Sequence, residues 1–411
     1  MKEIVLQGQA QRMRAAVLED RELVEVHEEE GSVSRLVGNI YRGRVINVLP
    51  GMQAAFVDIG LEKNAFLYVG DAVPFQYEED EKLPLPHELR VEQVLKPRQE
   101  MLVQITKEPV GSKGARITTN LTIPGRYAVL MPNTEYVGVS RKITEEEERE
   151  RLREIAREAC PEGKGIIVRT LAKGIEGKEL ADDFSELVAL WERLEKKIPH
   201  VAIPGLVHQD VDLVSRAIRD WVDQEVKIIT VNQPDVAVGM HNALLELGHP
   251  AANHVQLVYK EDIFSDYGID DKIRQALRPK VWLKSGGYLV IQQTEALTVI
   301  DVNTGKYVGD KSLQDTILHI NQEAALEIAR QLRLRNLGGI IVIDFIDMTS
   351  EEDKEQLLNV LEKAVARDKL KCQVMGLTQL GLVEMTRKKV GQTLEVRYGH
   401  PCSHCDGSGR I

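Results

Sequence analysis

Two short apolar runs, each closing on an aspartate, constrain this chain more than any other feature: Leu297-Thr298-Val299-Ile300-Asp301 and Ile340-Ile341-Val342-Ile343-Asp344. Both are rich in β-branched residues and too short to be helices of their own, so both are read as strands. Between them Ile317, Asn321, Ala324, Ile328 and Leu332 fall roughly on one face of a helix from about Gln314 to Arg335, which Gly338-Gly339 stops. Tyr288-Leu289-Val290-Ile291 looks like a strand paired with the first run. Strand, long helix and strand make residues 280–400 an α/β section. The unbroken apolar run Ile340 to Ile343 predicts a strand buried on both faces.

In open α/β sheets, ligands gather beyond the carboxyl ends of the strands. If the two strands are neighbours, Asp301 and Asp344 put two hard oxygen ligands side by side, which is how Mg²⁺ is usually held. Asn303, two residues on, faces the same side as Asp301. Asp347, three residues after Asp344, faces away and is assigned a supporting role. The mundane alternative is that the aspartates only cap the turns that follow, and the pattern alone leaves both open.

The rest of the sequence narrows the class of protein. A chain of 411 residues accommodates about two to four domains. With 43% hydrophobic and 28% charged residues it has a globular balance. No apolar run is long enough to cross a bilayer, and Met1-Lys2-Glu3-Ile4-Val5 lacks the layout of a signal peptide, so a cytoplasmic location is the default expectation. The formal net charge of −11 argues against a protein that merely coats nucleic acid, though acidic runs such as Glu28 to Glu30 and Glu145 to Glu150 can sit apart from a basic groove. Four cysteines, Cys160, Cys372, Cys402 and Cys405, are too few for a disulfide framework. Only the last pair forms a C-x-x-C.

Along the chain, residues 1–35 read as short strands with a hairpin at Glu19-Asp20-Arg21-Glu22. Residues 37–119 look all-β, with an acidic, proline-marked loop from Phe75 to Pro86. Residues 120–200 carry a β-like segment at Tyr127 to Met131, a charged helix from about Thr144 to Cys160, the apolar run Gly165 to Thr170 and a helix from about Gly177 to Lys197. Residues 213–278 alternate helices with strand-like Val226 to Val231 and Val255 to Tyr259.

The segments Glu295 to Asn303 and Glu327 to Met348, which includes Arg330-Gln331-Leu332-Arg333-Leu334-Arg335-Asn336-Leu337-Gly338-Gly339, closely resemble the catalytic region of the ribonuclease E/G family. The resemblance extends over nearly the whole chain. It implies an α/β and all-β multi-subdomain fold: an S1 barrel of OB type inserted in an RNase H-like subdomain, followed by a DNase I-like α/β nuclease subdomain. The implied boundaries are 1–36 and 213–278 for the two RNase H-like parts, 37–119 for S1, 120–212 for a 5′-sensor, 279–399 for the nuclease and 400–411 for a zinc-link.

The implied activity is Mg²⁺-dependent endonucleolytic cleavage of single-stranded RNA in rRNA maturation and mRNA decay. It leaves 5′-phosphate and 3′-hydroxyl ends and is stimulated by a 5′-monophosphate. By the same resemblance Asp301 and Asp344 hold the Mg²⁺, and Asn303 orients the attacking water or phosphate. Gly125, Val129, Arg169 and Thr170 match the sensor; an arginine fork with a threonine hydroxyl is a sensible phosphate site. An Arg-Thr pair at a strand end is, by itself, more often an exposed salt-bridge partner.

Phe56, Phe66 and Lys113 match the family's RNA contacts in the barrel, where bases stack on aromatics over a basic groove. Taken without the family, the two phenylalanines would be assigned to the barrel core. Cys402 and Cys405 match the zinc-link. Two thiolates fill half of a Zn²⁺ tetrahedron, so the expected partner is a second chain, giving a homodimer or, further assembled, a homotetramer. Pro401 precedes the first cysteine where the family has proline after it. A redox pair, or a one-chain site using His400 or His404, stays open. Family members continue beyond the zinc-link whereas this sequence stops at Ile411, which leaves a natural short form and a truncation both open. A non-catalytic RNA-binding protein and a DNase or phosphodiesterase are the rival classes. Asp301, Asn303 and Asp344 speak against the first, and the S1-like and sensor sections against the second.

Overall fold

The computed structural model describes residues 1–31, 35–78, 81–83, 89–109, 111, 113–305, 313–400, 402 and 404. They form two compact units, one of Met1–Glu30 with Gln224–Ile411 and one of Gly31–Asp223.

In the Gly31–Asp223 unit, the strands Ile40–Leu49, Ala54–Asp58, Ala65–Tyr68, Glu100–Lys107 and Arg116–Thr118 pair in the order first, second, third, fifth, fourth, and the fourth returns to the first. The sheet is therefore closed into a five-stranded barrel, with the third and fifth strands parallel. Period-two alternation decides what fills it. Ala55, Val57, Ala65, Leu67, Val103 and Ile105 point inward and are fully buried or nearly so.

The same unit holds a four-stranded sheet in the order Ile123–Pro124, Ala128–Met131, Gly165–Val168, Val137–Val139. It packs against the helices Glu146–Ala159 and Gly177–Lys197. Leu180, Phe184, Leu187, Trp191 and Leu194 recur at helical spacing along the second helix and form its buried stripe. Burying each such side chain stabilises the unit by roughly 1.5–3 kcal/mol.

In the other unit, the strands Lys2–Gln9, Arg12–Glu19 and Glu22–Glu30 form an antiparallel meander, and Val226–Val231 and Val255–Leu257 extend it in parallel from the Lys2–Gln9 edge. The turn Asp20-Arg21 has φ of 49° and 65°, the left-handed pair that a two-residue hairpin requires.

The second sheet of this unit has six strands in the order Lys280–Trp282, Tyr288–Gln293, Leu297–Asn303, Gly339–Asp344, Val383–Arg387, Cys372–Leu377. Only the central pair, Leu297–Asn303 with Gly339–Asp344, is parallel. The crossover between these two contains the helix Leu313–Leu334, which ends in a Schellman turn: Asn336 is left-handed at φ 50°, and Leu337 N–H donates to the Leu332 carbonyl at 3.0 Å.

The expectation that Ile340 to Ile343 is buried on both faces is not met. Ile341 and Ile343 are fully buried, but Ile340 is 53% exposed and Asp344 is exposed. The helices Leu313–Leu334 and Glu351–Ala366 both share one core with Ile300, Ile341 and Ile343. They cover one face of the sheet and leave the side chains of the other outside that core. An apolar run shows that a strand is central, but the alternation of its burial is set by what packs on it. Among the described residues no helix is long and apolar enough to cross a membrane.

Candidate active site

Asp301 and Asp344 are direct register partners, the last pair of the parallel ladder between their strands. Neighbouring strands lie about 4.8 Å apart, so the two carboxylates leave the backbone one strand spacing from each other. Alternation turns Thr298, Ile300 and Val302 into the core and Asp301 and Asn303 onto the opposite face. Asp344 is exposed on that face too. Asn303 Nδ2 donates to Asp301 Oδ2 at 2.8 Å, which fixes one carboxylate oxygen and leaves the other to a ligand.

Two features hold these strand ends in place. Asn321, fully buried on the crossover helix, donates to the Ile346 carbonyl at 2.8 Å and accepts from the Ile346 N–H at 3.1 Å. It therefore clamps the backbone just after Asp344. On the Asn303 side, Gly305 at φ 61° lies so close to Gly286 that a Cβ would sit 2.2 Å from the Gly286 carbonyl oxygen. Any side chain there would push the segment after Asn303 off the neighbouring turn.

The donor set suits a hard divalent cation. A divalent cation can be shared between two carboxylates that leave neighbouring strands side by side. Among the described residues there is no group of three or more His, Cys, Asp or Glu placed to hold a metal. Two carboxylates with water completing the shell is the habit of Mg²⁺, whereas zinc takes three or four protein ligands. Asp347 is exposed as well, three residues beyond Asp344.

The residues matched to the sensor come together in the other unit. Arg169 directly follows the strand Gly165–Val168 and donates through one terminal nitrogen to the Gly125 carbonyl. Through the other it donates to Asp220 Oδ1 at 2.6 Å. Thr170 Oγ1 lies 2.9 Å from Ser140 Oγ, and Val129 pairs with Ile167 on the adjacent strand. Asp183 takes the N–H groups of Arg126, Tyr127 and Ala128 at 2.9 Å each and fills the space a Cβ on Gly125 would need. Burial opposes charge on Asp220, but the guanidiniums of Arg219 and Arg169 outweigh it and hold its pKa below the usual carboxylate value.

On the barrel, Phe56 and Phe66 are cross-strand partners with ring centroids 6.0 Å apart, edge to face at 72°. Both are half-buried and point away from the barrel interior, so they are not core residues as composition alone would assign them. Lys113 is exposed. Next to it, a Cβ on Gly114 would lie 2.0 Å from the Asn64 carbonyl oxygen, which brings the Lys113 segment against the start of the Phe66 strand. Cys402 is an exposed free thiol; Cys405 lies outside the described residues, as does Ser112 beside Lys113.

Sequence reasoning placed Asn321 only as one member of the apolar helix face and did not single out Asp183 or Asp220. Two of these had a usable signal. Asn321 takes a place in an apolar helical stripe between Ile317 and Ala324, and Asp183 borders one beside Phe184, between Leu180 and Leu187, where a polar residue needs a partner.

Fold and site define a mixed α/β protein of several sheets, carrying a closed five-stranded barrel and a carboxylate pair on adjacent parallel strands. Residues 122–390 match the model of the Ribonuclease E/G family, and the chain belongs to that family. It is 42% identical over 407 residues to Ribonuclease G of Escherichia coli (strain K12), covering 97% of this chain and 82% of that protein. With Ribonuclease G of Haemophilus influenzae the identity is 40% over 412 residues, covering 100% of this chain and 84% of that protein. Ribonuclease E of Synechocystis sp. is 41% identical over 383 residues, 92% of this chain but 56% of its own length.

Proposed function

We propose that this chain is a Mg²⁺-dependent endoribonuclease that cuts single-stranded RNA internally, leaving 5′-phosphate and 3′-hydroxyl ends, in rRNA processing and mRNA decay in the cytoplasm. The observation that carries the reading is the register pairing of Asp301 with Asp344 at the carboxyl ends of adjacent parallel strands. Asp301 and Asp344 would hold Mg²⁺, which when bound supplies Lewis-acid stabilisation of phosphoryl charge and acidifies a water. Asn303 locks the Asp301 carboxylate in one orientation through its 2.8 Å hydrogen bond, and Asn321 keeps the Asp344 end from moving away. The names of the Ribonuclease G relatives support RNA as the substrate.

In the other unit the barrel is read as an S1 domain that clamps the strand through Phe56, Phe66 and Lys113. Gly125, Val129, Arg169 and Thr170 are read as the pocket that senses a 5′-monophosphate. Of the five N–H donors of Arg169, those spent on Gly125 and Asp220 set the plane of the guanidinium, and the remaining ones are offered to a phosphate. The sheet of Lys2–Gln9 with Val226–Val231 is read as RNase H-like, and the six-stranded sheet with its helices as DNase I-like. Cys402 and Cys405 are assigned to a structural zinc shared by two chains of a homodimer, which can assemble further to a homotetramer.

The test is a cleavage assay with labelled single-stranded RNA, duplex RNA and single-stranded DNA, with and without Mg²⁺. Single-stranded RNA cut only with Mg²⁺, and faster when 5′-monophosphorylated than with a 5′-hydroxyl, is the expected outcome. Equal cutting of DNA, or turnover indifferent to Mg²⁺, would remove the assignment.

A further inference from the structure

The sheet face that carries the carboxylates continues across two more strands to the sheet edge. Register places Trp282 opposite Tyr288 and Tyr288 opposite Asn303. The adjacent row runs Lys280, Val290, Asp301, Asp344. Val281, Leu289, Ile300 and Val302 alternate onto the core side, so both rows present the other face. Lys280 Nζ sits 3.5 Å from the ring centroid of Tyr288 and 4.1 Å from that of Trp282, and the two rings meet at 5.3 Å and 61°.

Core packing does not account for this cluster. Trp282 is 59% exposed, whereas the other two tryptophans, Trp191 and Trp221, are buried. An exposed indole next to a cation, with the cation's row leading to two carboxylates suited to a metal, offers a π-face and a positive charge on adjacent rows of one sheet face. That is the pair of features that binds a single nucleic-acid strand: a base stacks on the ring and its phosphate meets the cation. A base inside a duplex is already stacked on both sides and is not available to such a platform.

We propose that Lys280, Trp282 and Tyr288 form a nucleotide-binding platform for single-stranded RNA, with a base on the Trp282 indole and the adjoining phosphate on the Lys280 ammonium. The proposal rests on the endoribonuclease reading and adds a substrate contact to it. The platform, through Lys280, lies two strand spacings, about 10 Å, from Asp301. It therefore fixes how far along the strand the cut falls from the stacked nucleotide, for any base, because every base has a π-face. Trp282 and Lys280 act by positioning the strand and take no part in the chemistry.

The experiment uses the full chain and a single-stranded oligoribonucleotide cut at one bond, with abasic sites placed one position at a time around that bond. Trp282→Ala is expected to lower kcat/KM about tenfold, with Trp282→Phe restoring most of it. One abasic position is expected to cost the wild type a similar factor and the Trp282→Ala chain nothing. A purely structural role for Trp282 would leave the abasic profile the same in both. An unchanged profile, or wild-type kcat/KM in Trp282→Ala, overturns the proposal while leaving the endoribonuclease reading intact. A wild type that cuts no RNA overturns that reading instead. Fluorescence then decides the platform: quenching by the uncut oligoribonucleotide that is lost in Trp282→Phe supports it, and absence of quenching in the wild type refutes it.

Discussion

Asp301 and Asp344 stand on the last paired residues of two regular parallel strands and are exposed, with Asn303 as the hydrogen-bond partner of Asp301. Arg169 stands where a strand has just ended, and it is tied to the Gly125 carbonyl and to Asp220, which also pairs with Arg219. One region takes its geometry from the sheet and leaves its charges for a ligand. The other builds its geometry out of its own charges, so each polar side chain proposed to bind phosphate is also part of the scaffold. Chemistry and stability should therefore separate on mutation in the first region and move together in the second.

The largest expected effect tests the first half of that contrast. Asp301→Asn and Asp344→Asn change one atom each on an exposed strand end. Turnover should fall on the order of a thousandfold, while unfolding free energy stays within about 0.5 kcal/mol, as for other exposed substitutions. Single-turnover cleavage and a denaturant melt on the same preparations check both numbers. Near-normal Mg²⁺-dependent turnover in both variants would leave the carboxylates as turn caps.

Arg169→Ala should do less to catalysis and more to the fold. A preference for 5′-monophosphorylated RNA should shrink by roughly ten- to a hundredfold, the worth of a charge-assisted hydrogen bond to phosphate. Stability should fall as well, by about 1–3 kcal/mol, because the Gly125 carbonyl and Asp220 lose a partner. Arg169→Lys keeps the charge but not the fork, so it should recover little of the preference. A variant that loses the preference with no change in stability would break the contrast between the two regions.

How far each region is legible in the sequence follows the same division. The carboxylate row is written in short-range pattern: an apolar run fixes each strand, period two fixes which side Asp301 and Asn303 take, and the long helix between the runs supplies a crossover. What the pattern does not contain is that both helices would pack on one face, leaving Ile340 half out and the carboxylate face open. The arginine pocket is assembled from Gly125, Arg169, Asp183 and Asp220, which are far apart in sequence, and no local periodicity joins them. Matching it needed the family resemblance, and even that did not single out Asp183 or Asp220. In the barrel, alternation against Ala55, Val57, Ala65 and Leu67 would have put Phe56 and Phe66 on the outer face, but composition favours the core for any phenylalanine.

In the carboxylate region, the fully buried Asn321 holds the backbone just after Asp344. Asn321→Ala leaves the N–H and carbonyl of Ile346 without their partner, which should cost about 2 kcal/mol and loosen the Asp344 strand end. The expected signature is reduced turnover together with a raised Mg²⁺ requirement. Asn321→Asp keeps the acceptor for the Ile346 N–H and faces the carbonyl with an oxygen, so it should be no better than Ala. Activity at ordinary Mg²⁺ concentrations equal to wild type in both variants would show that the ladder alone positions Asp344.

The smallest expected effect is set by pH and belongs to the arginine pocket. Asp220 has its pKa below the usual carboxylate value in the folded unit, against burial, because Arg219 and Arg169 favour its charged form. A group whose pKa is lowered on folding contributes stability above its unfolded pKa, about 3.9 for aspartate, and loses it as pH falls through the lowered folded value. The stability supplied by Asp220 should thus be whole at pH 7, begin to fade near pH 4 and be gone in stronger acid. Asp220→Asn removes the titration, so the difference in unfolding free energy between wild type and variant should shrink steadily as pH drops from about 5 to 3. Fluorescence of Trp191 and Trp221, both buried in this unit, reports its unfolding directly. Parallel curves for wild type and Asp220→Asn would mean that the Arg169–Asp220–Arg219 web is surface decoration, and the two regions would then differ in shape but not in kind.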